Sequence, residues 1–342
     1  TTRSSSAGEP PVNPGLRWYL TSTAFFLVPG GIQMVLFPWL VAVFLHETPA
    51  RVGLAQMAGQ LPMLLLILWG GLVGDRLDQR RLLIALHSAM ILPPLVMAGL
   101  VGAELVFYEV LLAWAFVGGC FGAFAQPARD ALLNRVAGRD IQRVVTLAIG
   151  VQFGVQILGF GFGSLADKTG PVAVLVVQAL FMLGAAIATY RIPPLPPREP
   201  RQRRHPFREI GEGLSIAWRS DAIRPAILFT FAVGMFFAGT YMVVLPLMVR
   251  DIYGGSAGGI ALAFAANMLG TCTTIFFLMR HGGVERPGRA LVLGGLTSAA
   301  ILSVLHFELP MWGFYLAVYF WGRCGGISMT MSRSIVQEGS PE

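Results

Sequence analysis

Apolar residues run along this chain in blocks of about twenty, and nearly every charge falls in the gaps between them. A bilayer core of about 30 Å asks for about 20 apolar residues of helix. On that ruler ten spans are predicted: Leu16–Leu45, Val52–Val73, Leu82–Val101, Val106–Ala125, Val144–Leu165, Pro171–Tyr190, Pro225–Val249, Gly258–Met279, Ala290–Leu305 and Pro310–Thr330. The first run is roughly twice the length of a secretory signal core and lacks a clean small-residue cleavage site, so it is read as a span. The longest polar interval, Arg191–Ser220, separates six spans from four. Its Pro-rich first half is expected to be extended. In its second half Phe207, Ile210, Leu214, Ala217 and Trp218 recur at helical spacing. That suits a helix lying in the membrane interface, or a linker helix that only packs.

Composition and charge turn the pattern into a class. Of 342 residues, 55% are hydrophobic and 13% charged, with a mean hydropathy of +0.65, whereas soluble domains carry about 25% charged residues. An all-α integral membrane protein is expected. Of 25 basic residues, Arg51, Lys168 and Arg250 fall in one set of alternate loops and Arg323 inside a span, while the other 21 fall in the opposite loops or the tail. This obeys the positive-inside rule with the N-terminus cytoplasmic. The net charge of +7 is therefore topological, with the arginines set against anionic lipid headgroups, and nucleic acid is excluded as a partner. The expected organisation is a disordered tail over 1–15, a six-helix bundle over 16–190, a basic cytoplasmic linker over 191–224 and a partial second bundle over 225–342.

No chemistry of bond making is indicated. Cys120, Cys272 and Cys324 lie in apolar runs without CxxC or CxxH spacing, so neither disulfides nor a metal site is expected. "GGSAG" at Gly254–Gly258 fits G-x-S-x-G, yet it joins two membrane helices with no strand before it. There is no GxxxxGK[ST], which argues against ATP as an energy source within the chain. No catalytic residue, metal or cofactor is assigned, and the chain is not expected to be an enzyme.

The two halves resemble each other. The stretch from Gly118 aligns with that from Gly322, placing Gly118 and Gly322, Cys120 and Cys324, Gly122 and Gly326, and Arg129 and Arg333 each 204 residues apart. Between the second and third spans lies "GGLVGDRLDQRRLL", with Gly71, Asp75, Arg76, Arg80 and Leu83 at fixed offsets. The glycines Gly70, Gly71 and Gly74 allow a tight helix approach, and the arginines hold the loop at the phosphate level. The stretch resembles the signature loop of the major facilitator superfamily. With Asp78 at the usual second glycine, and with "QPARDALLNRVAGRDI" after the fourth span, it is similar to the efflux branch that includes enterobactin exporters. The fifth span carries Gly150, Gly159 and Gly163 at the gaps of the superfamily's antiporter motif, although Ser164 stands where a proline is usual.

That resemblance implies two pseudo-symmetric helix bundles, each of six spans, so the second half is expected to lack two and the chain to be truncated after span 10. In the superfamily the acid at Asp75 helps latch the bundles through span 11, and spans 1, 4, 7 and 10 line a central cavity. The cavity residues implied are Gln33, Trp114, Tyr241 and Arg323, to which Asn267 is added as a polar group within a span. Arg323 has no other charge until Glu308 and Arg333; a charge at membrane depth either meets an anionic substrate or pairs with an acid across the cavity. Glu109 is a proton carrier if buried and a snorkelling surface residue otherwise. The expected coupling and gating set is Gly71, Asp75, Arg76, Arg80, Glu109, Gly150, Gly159 and Gly163. The function implied is export of a small amphiphilic molecule, a drug, siderophore or other metabolite, by proton antiport and alternating access. It would take place from a monomer in the bacterial cytoplasmic (inner) membrane. Proton-coupled or facilitative uptake, or a non-transporting receptor or scaffold on the same fold, are the alternatives.

Overall fold

The computed structural model describes residues 14–137, 141–194, 218, 223–280, 284 and 286–339. Among these the chain is helical throughout, with no strand. The elements are α1 (Pro14–Phe44), α2 (Pro49–Arg76), α3 (Gln79–Ala89), α4 (Leu92–Gly102), α5 (Tyr108–Ala137), α6 (Ile141–Gly163), α7 (Ala166–Thr169), α8 (Pro171–Tyr190), α9 (Arg224–Ile252), α10 (Ala257–Arg280), α11 (Pro287–Val304) and α12 (Met311–Gly339). Eight segments are long and apolar enough to cross a membrane, α3 and α4 together counting as one. Helices α6 and α12, of 23 and 29 residues, pack among them. The interfacial helix expected in the linker lies outside the described residues, apart from Trp218.

Local chemistry explains the departures from straight helix. Proline offers no N–H and crowds the preceding turn. The α1 helix widens to a π-helical turn at Trp39–Phe44 directly after Pro38. Ahead of Pro246, α9 carries π-helical turns at Gly234–Ala238 and Thr240–Val244. Pro93 and Pro94 lie just after the break between α3 and α4. The α5 helix runs on to Ala137, beyond the apolar run that ended at Ala125, because its first polar turns continue as helix past the bilayer.

Small residues set the packing. In the first bundle α2 runs along α5, and in the second α10 runs along α12, the same pairing of second and fourth spans. A Cβ on Gly119 would meet the Gly59 carbonyl oxygen, and one on Gly322 would meet the Asn267 carbonyl oxygen. Gly118 has open space where its Cβ would be. The close approach therefore pairs Gly119 with Gly322, one residue off the register read from the sequence.

A hydrophobic core joins both bundles, from Val35, Leu40 and Val41 in α1 to Leu247 and Val249 in α9 and Phe264 in α10. A second, separate cluster, Leu16, Tyr19, Leu83, Leu132 and Ile192, lies wholly within the first bundle, at the end where its arginines gather. The bundles thus meet away from the arginine-rich face.

Candidate functional site

Where the bundles part, α1, α2, α4, α5 and α8, with Met90 ahead of α4, Met242 of α9 and Phe264 of α10, line a cavity of about 330 Å³. That size suits a small molecule. Phe37, Ala55, Trp114 and Phe264 at one end are buried. Gly30, Gln60 and Gly118, nearer the arginine-rich face, are exposed. The cavity therefore closes away from the arginines and widens toward them. Its wall is mostly apolar, with four glutamines, Gln33, Gln56, Gln60 and Gln178, as the polar side chains and five methionines among the rest. Gln178 Nε2 donates to Gln33 Oε1 at 3.1 Å and to the Pro29 carbonyl at 3.5 Å. Across the bundle boundary, Gln56 Nε2 donates to the Met242 carbonyl at 3.0 Å.

Two contacts close the opposite face, each joining a charge on one bundle to a helix end of the other. Arg250 Nη1 donates to the carbonyls of Glu47 at 2.7 Å and Ala42 at 3.3 Å, at the C-terminal end of α1. Asp167 Oδ2 accepts from the Gly258 N–H at 3.2 Å, in the first turn of α10. Both signs follow the helix dipole, which favours cations at C-termini and anions at N-termini.

Against the cavity's Phe26 lies a buried polar cluster. The Phe26 ring packs on His87 at 5.0 Å and under the Arg129 guanidinium at 4.7 Å. Thr189 Oγ1 donates to the Ala185 carbonyl at 2.7 Å and lies 3.0 Å from His87 Nδ1 and 2.6 Å from Ser22 Oγ. His87 Nε2 and Arg129 Nε are buried without a hydrogen-bond partner among the described residues.

Comparison with known proteins places this architecture. The family described as transmembrane secretion effector matches residues 13–342. The chain belongs to that family. It is 35% identical over 114 residues to the multidrug efflux pump Tap of Mycolicibacterium fortuitum, covering 32% of this chain and 27% of Tap. It is 22% identical over 268 residues to the staphyloferrin A transporter of Staphylococcus aureus, covering 72% of this chain and 63% of that protein. In both cases the chain spans less than two thirds of the curated relative's length. Among solved structures, the nucleoside transporter NupG superposes with a TM-score of 0.73 at 15% identity, over 96% of this chain and 83% of NupG. The D-xylose-proton symporter gives a TM-score of 0.64 at 12% identity, over 92% of this chain and 80% of that one. The chain thus has the major facilitator fold of an integral membrane protein, and the relatives and solved structures to which it is similar are named as transporters.

The structure distributes the family's expected site residues unevenly. Gln33 and Trp114 line the cavity. Tyr241, Asn267 and Arg323 do not. Tyr241 stands behind Phe264, with ring centroids 4.8 Å apart, and Asn267 is at the α10–α12 seam, its Nδ2 3.4 Å from the Val318 carbonyl. On α12 it is Trp321 that turns to Tyr241 and Phe237. Arg323 is two residues on, about 200° around the helix, and makes no hydrogen bond or ion pair among the described residues.

In the signature loop the close approach belongs to Gly70, whose Cβ would meet the Ala123 carbonyl oxygen, while Gly71 has nothing near it. The side chains of Asp75 and Arg76 lie outside those described. Asp78 caps α3, its Oδ1 accepting from the Arg81 N–H at 2.9 Å. Arg80 donates from Nε to the Ile192 carbonyl at 2.6 Å and from Nη2 to the Tyr190 carbonyl, tying the loop to the end of α8. In α6, Gly159 and Gly163 pack closely on Gly31 and Val35 of α1, while Gly150 has open space. Glu109 is exposed in the first turn of α5. Sequence reasoning missed Gln56, Gln178 and Met242 as cavity residues, and Arg250 and Asp167 as bundle contacts. For Met242 a signal was present: Pro246, four residues on, cannot return an α-helical N–H to that carbonyl.

Proposed function

We propose that this transporter exports small amphiphilic molecules across the bacterial cytoplasmic membrane by alternating access, in exchange for protons. The observation that carries this reading is a cavity lined by residues of both bundles, closed at one face and widening toward the arginine-rich face. By the positive-inside rule that face is cytoplasmic, so the cavity would load from the cytoplasm. The efflux name of one relative supports the direction, and the apolar wall suits an amphiphile. The chain would act as a monomer, its exposed arginines Arg17, Arg81, Arg191 and Arg289 resting on anionic headgroups. Among the described residues no titratable side chain lines the cavity, so the proton would be carried by a group behind its wall, and His87 is the one placed against Phe26.

The test is full-length protein in liposomes under an imposed pH gradient, with radiolabelled chloramphenicol, an uncharged amphiphile, as the transported probe. Probe moving out of the cytoplasmic-side compartment as protons move in, and stopping when the gradient is collapsed, supports the reading. Movement in the same direction as protons would replace it with uptake.

A further inference from the structure

Among the described residues the cavity wall contains no ionisable side chain, and the hydrogen-bonding side chains that line it are mainly amides. A localised charge entering it would lose hydration and find no counter-charge. How the amides are already engaged says what kind of polar group could enter instead. Gln178 is committed to Gln33 and to the Pro29 carbonyl, and its own Oε1 is sealed from the cavity. Gln56 is differently placed. Its Nε2 bonds to the Met242 carbonyl, an acceptor that Pro246 cannot serve because proline has no N–H to return four residues back. Since a carbonyl can only accept, the amide nitrogen must be the end that faces α9, which fixes the orientation of Gln56. Gln60, one turn along α2, points its Nε2 to Met242 Sδ at 3.6 Å. The cavity's polar contact with α9 is therefore two amide donors on Met242, of which the Gln56 bond to the backbone carbonyl is the strong one and the Gln60 contact to the thioether the weak one.

We propose that the cavity binds an uncharged amphiphile carrying a hydrogen-bond donor and acceptor side by side, as in an amide, which breaks the Gln56–Met242 hydrogen bond and engages both of its ends. The ligand carbonyl accepts from Gln56 Nε2, and the ligand N–H donates to the Met242 carbonyl. Its apolar body lies against Phe37 and Trp114, whose rings are 5.9 Å apart, with the methionine side chains adjusting around it. Occupancy thereby replaces a direct hydrogen bond between the bundles with a longer bridge through the ligand, so binding favours a spacing between α2 and α9 wider by the width of the ligand's polar group. The inference rests on the cavity being the transport site.

Binding is measured on the full chain in lipid nanodiscs by quenching of Trp114 fluorescence, with Trp114→Phe locating the signal. Three probes separate the chemistries: benzanilide, a neutral amide; tetraphenylphosphonium, a cation without a donor; and 8-anilinonaphthalene-1-sulfonate, an anion. Benzanilide is expected to bind at least tenfold more tightly than the sulfonate, and Gln56→Leu to weaken it at least tenfold. Gln56→Glu puts a carboxylate in the wall and is expected to raise tetraphenylphosphonium affinity while lowering that of benzanilide; this gain of binding stands even if the leucine variant does not fold. The proposal is overturned if the sulfonate binds as well as the amide, if wild type does not bind benzanilide, or if both Gln56 variants bind it unchanged. No gradient is used. A chain that binds as expected but moves nothing against protons loses the export reading alone, and one that exports charged probes without binding the amide loses this inference alone.

Discussion

Removing the Arg250 side chain should release the closed face of the transporter. The guanidinium supplies the hydrogen bonds that join α9 to the carbonyl end of α1 among the described residues, through Nη1 to Glu47 and Ala42. Both acceptors share one nitrogen, so the pair counts as about one charged hydrogen bond, worth about 1.5–3 kcal/mol. The side chain is 18% exposed, which leaves little solvent screening to subtract. Its ion pair with Asp251 lies within one helix and is set by a 54% exposed partner, so it adds little. Arg250→Ala should then shift the equilibrium between closed and open opposite faces roughly 10- to 150-fold toward open. Asp167→Asn removes an exposed charge from a helix N-terminus, worth about 0.3–1 kcal/mol, or roughly 2- to 5-fold. The arginine should dominate.

The assay is the distance between spin labels at Glu104→Cys and His306→Cys, exposed positions on the closed face of either bundle, with the three native cysteines replaced by alanine. Wild type should give one short distance. Arg250→Ala should add a longer population that becomes the larger one, Arg250→Lys should lie between, and Asp167→Asn should show a minor long component. If Arg250→Ala leaves the distribution unchanged, apolar packing of Leu247 and Val249 holds that face, and the charge-to-helix-end account is wrong.

Further outcomes follow from the packing and the caps. Gly119→Val should destabilise the chain by more than about 1–3 kcal/mol, since backbone on α2 cannot yield as a side chain would; Gly118→Ala, with open space, should leave the melting temperature unchanged. Asp78→Ala removes the α3 cap and should cost about 0.5–2 kcal/mol in thermal unfolding. Measured by equilibrium dialysis, Arg323→Gln should leave benzanilide affinity unchanged while Trp114→Ala lowers it, because only the second lines the cavity. Tyr253 donates to the Leu309 carbonyl at 2.8 Å, and burial, with Glu308 nearby, holds its phenol above the usual 10.0. A raised value means the contribution is complete below the unfolded value and lost as pH rises through the folded one. The stability gap between wild type and Tyr253→Phe should thus be constant from neutral pH to about pH 10 and close above it.

What the sequence disclosed and what it hid divide along a physical line. Spans were legible because a bilayer fixes their length and composition, and Pro171–Tyr190 matches its expected bounds to the residue. The family was legible because the loop after α2 must both turn tightly and stay at the headgroups, which constrains glycines and arginines in sequence. Cavity membership was not, because it depends on helix rotation. A one-residue error between Gly118 and Gly119 moves a side chain by about 100°, enough to exchange an open position for a backbone contact, and in α12 the two residues between Trp321 and Arg323 turn the arginine about 200° away from the face that Trp321 occupies. Contacts between bundles were hidden for a different reason. Arg250 and Asp167 fall just outside the predicted spans, beside Asp251 and Lys168, where charge signals topology, and only the fold shows that each meets the helix end its sign favours. The Gln56–Met242 bond lies between these cases: Pro246 announces in sequence a carbonyl without an α-helical donor, but which residue answers it is 186 positions away and belongs to the other bundle. Positions that an individual helix decides can be read from the chain. Those that two bundles decide together become visible only when the bundles are brought into contact.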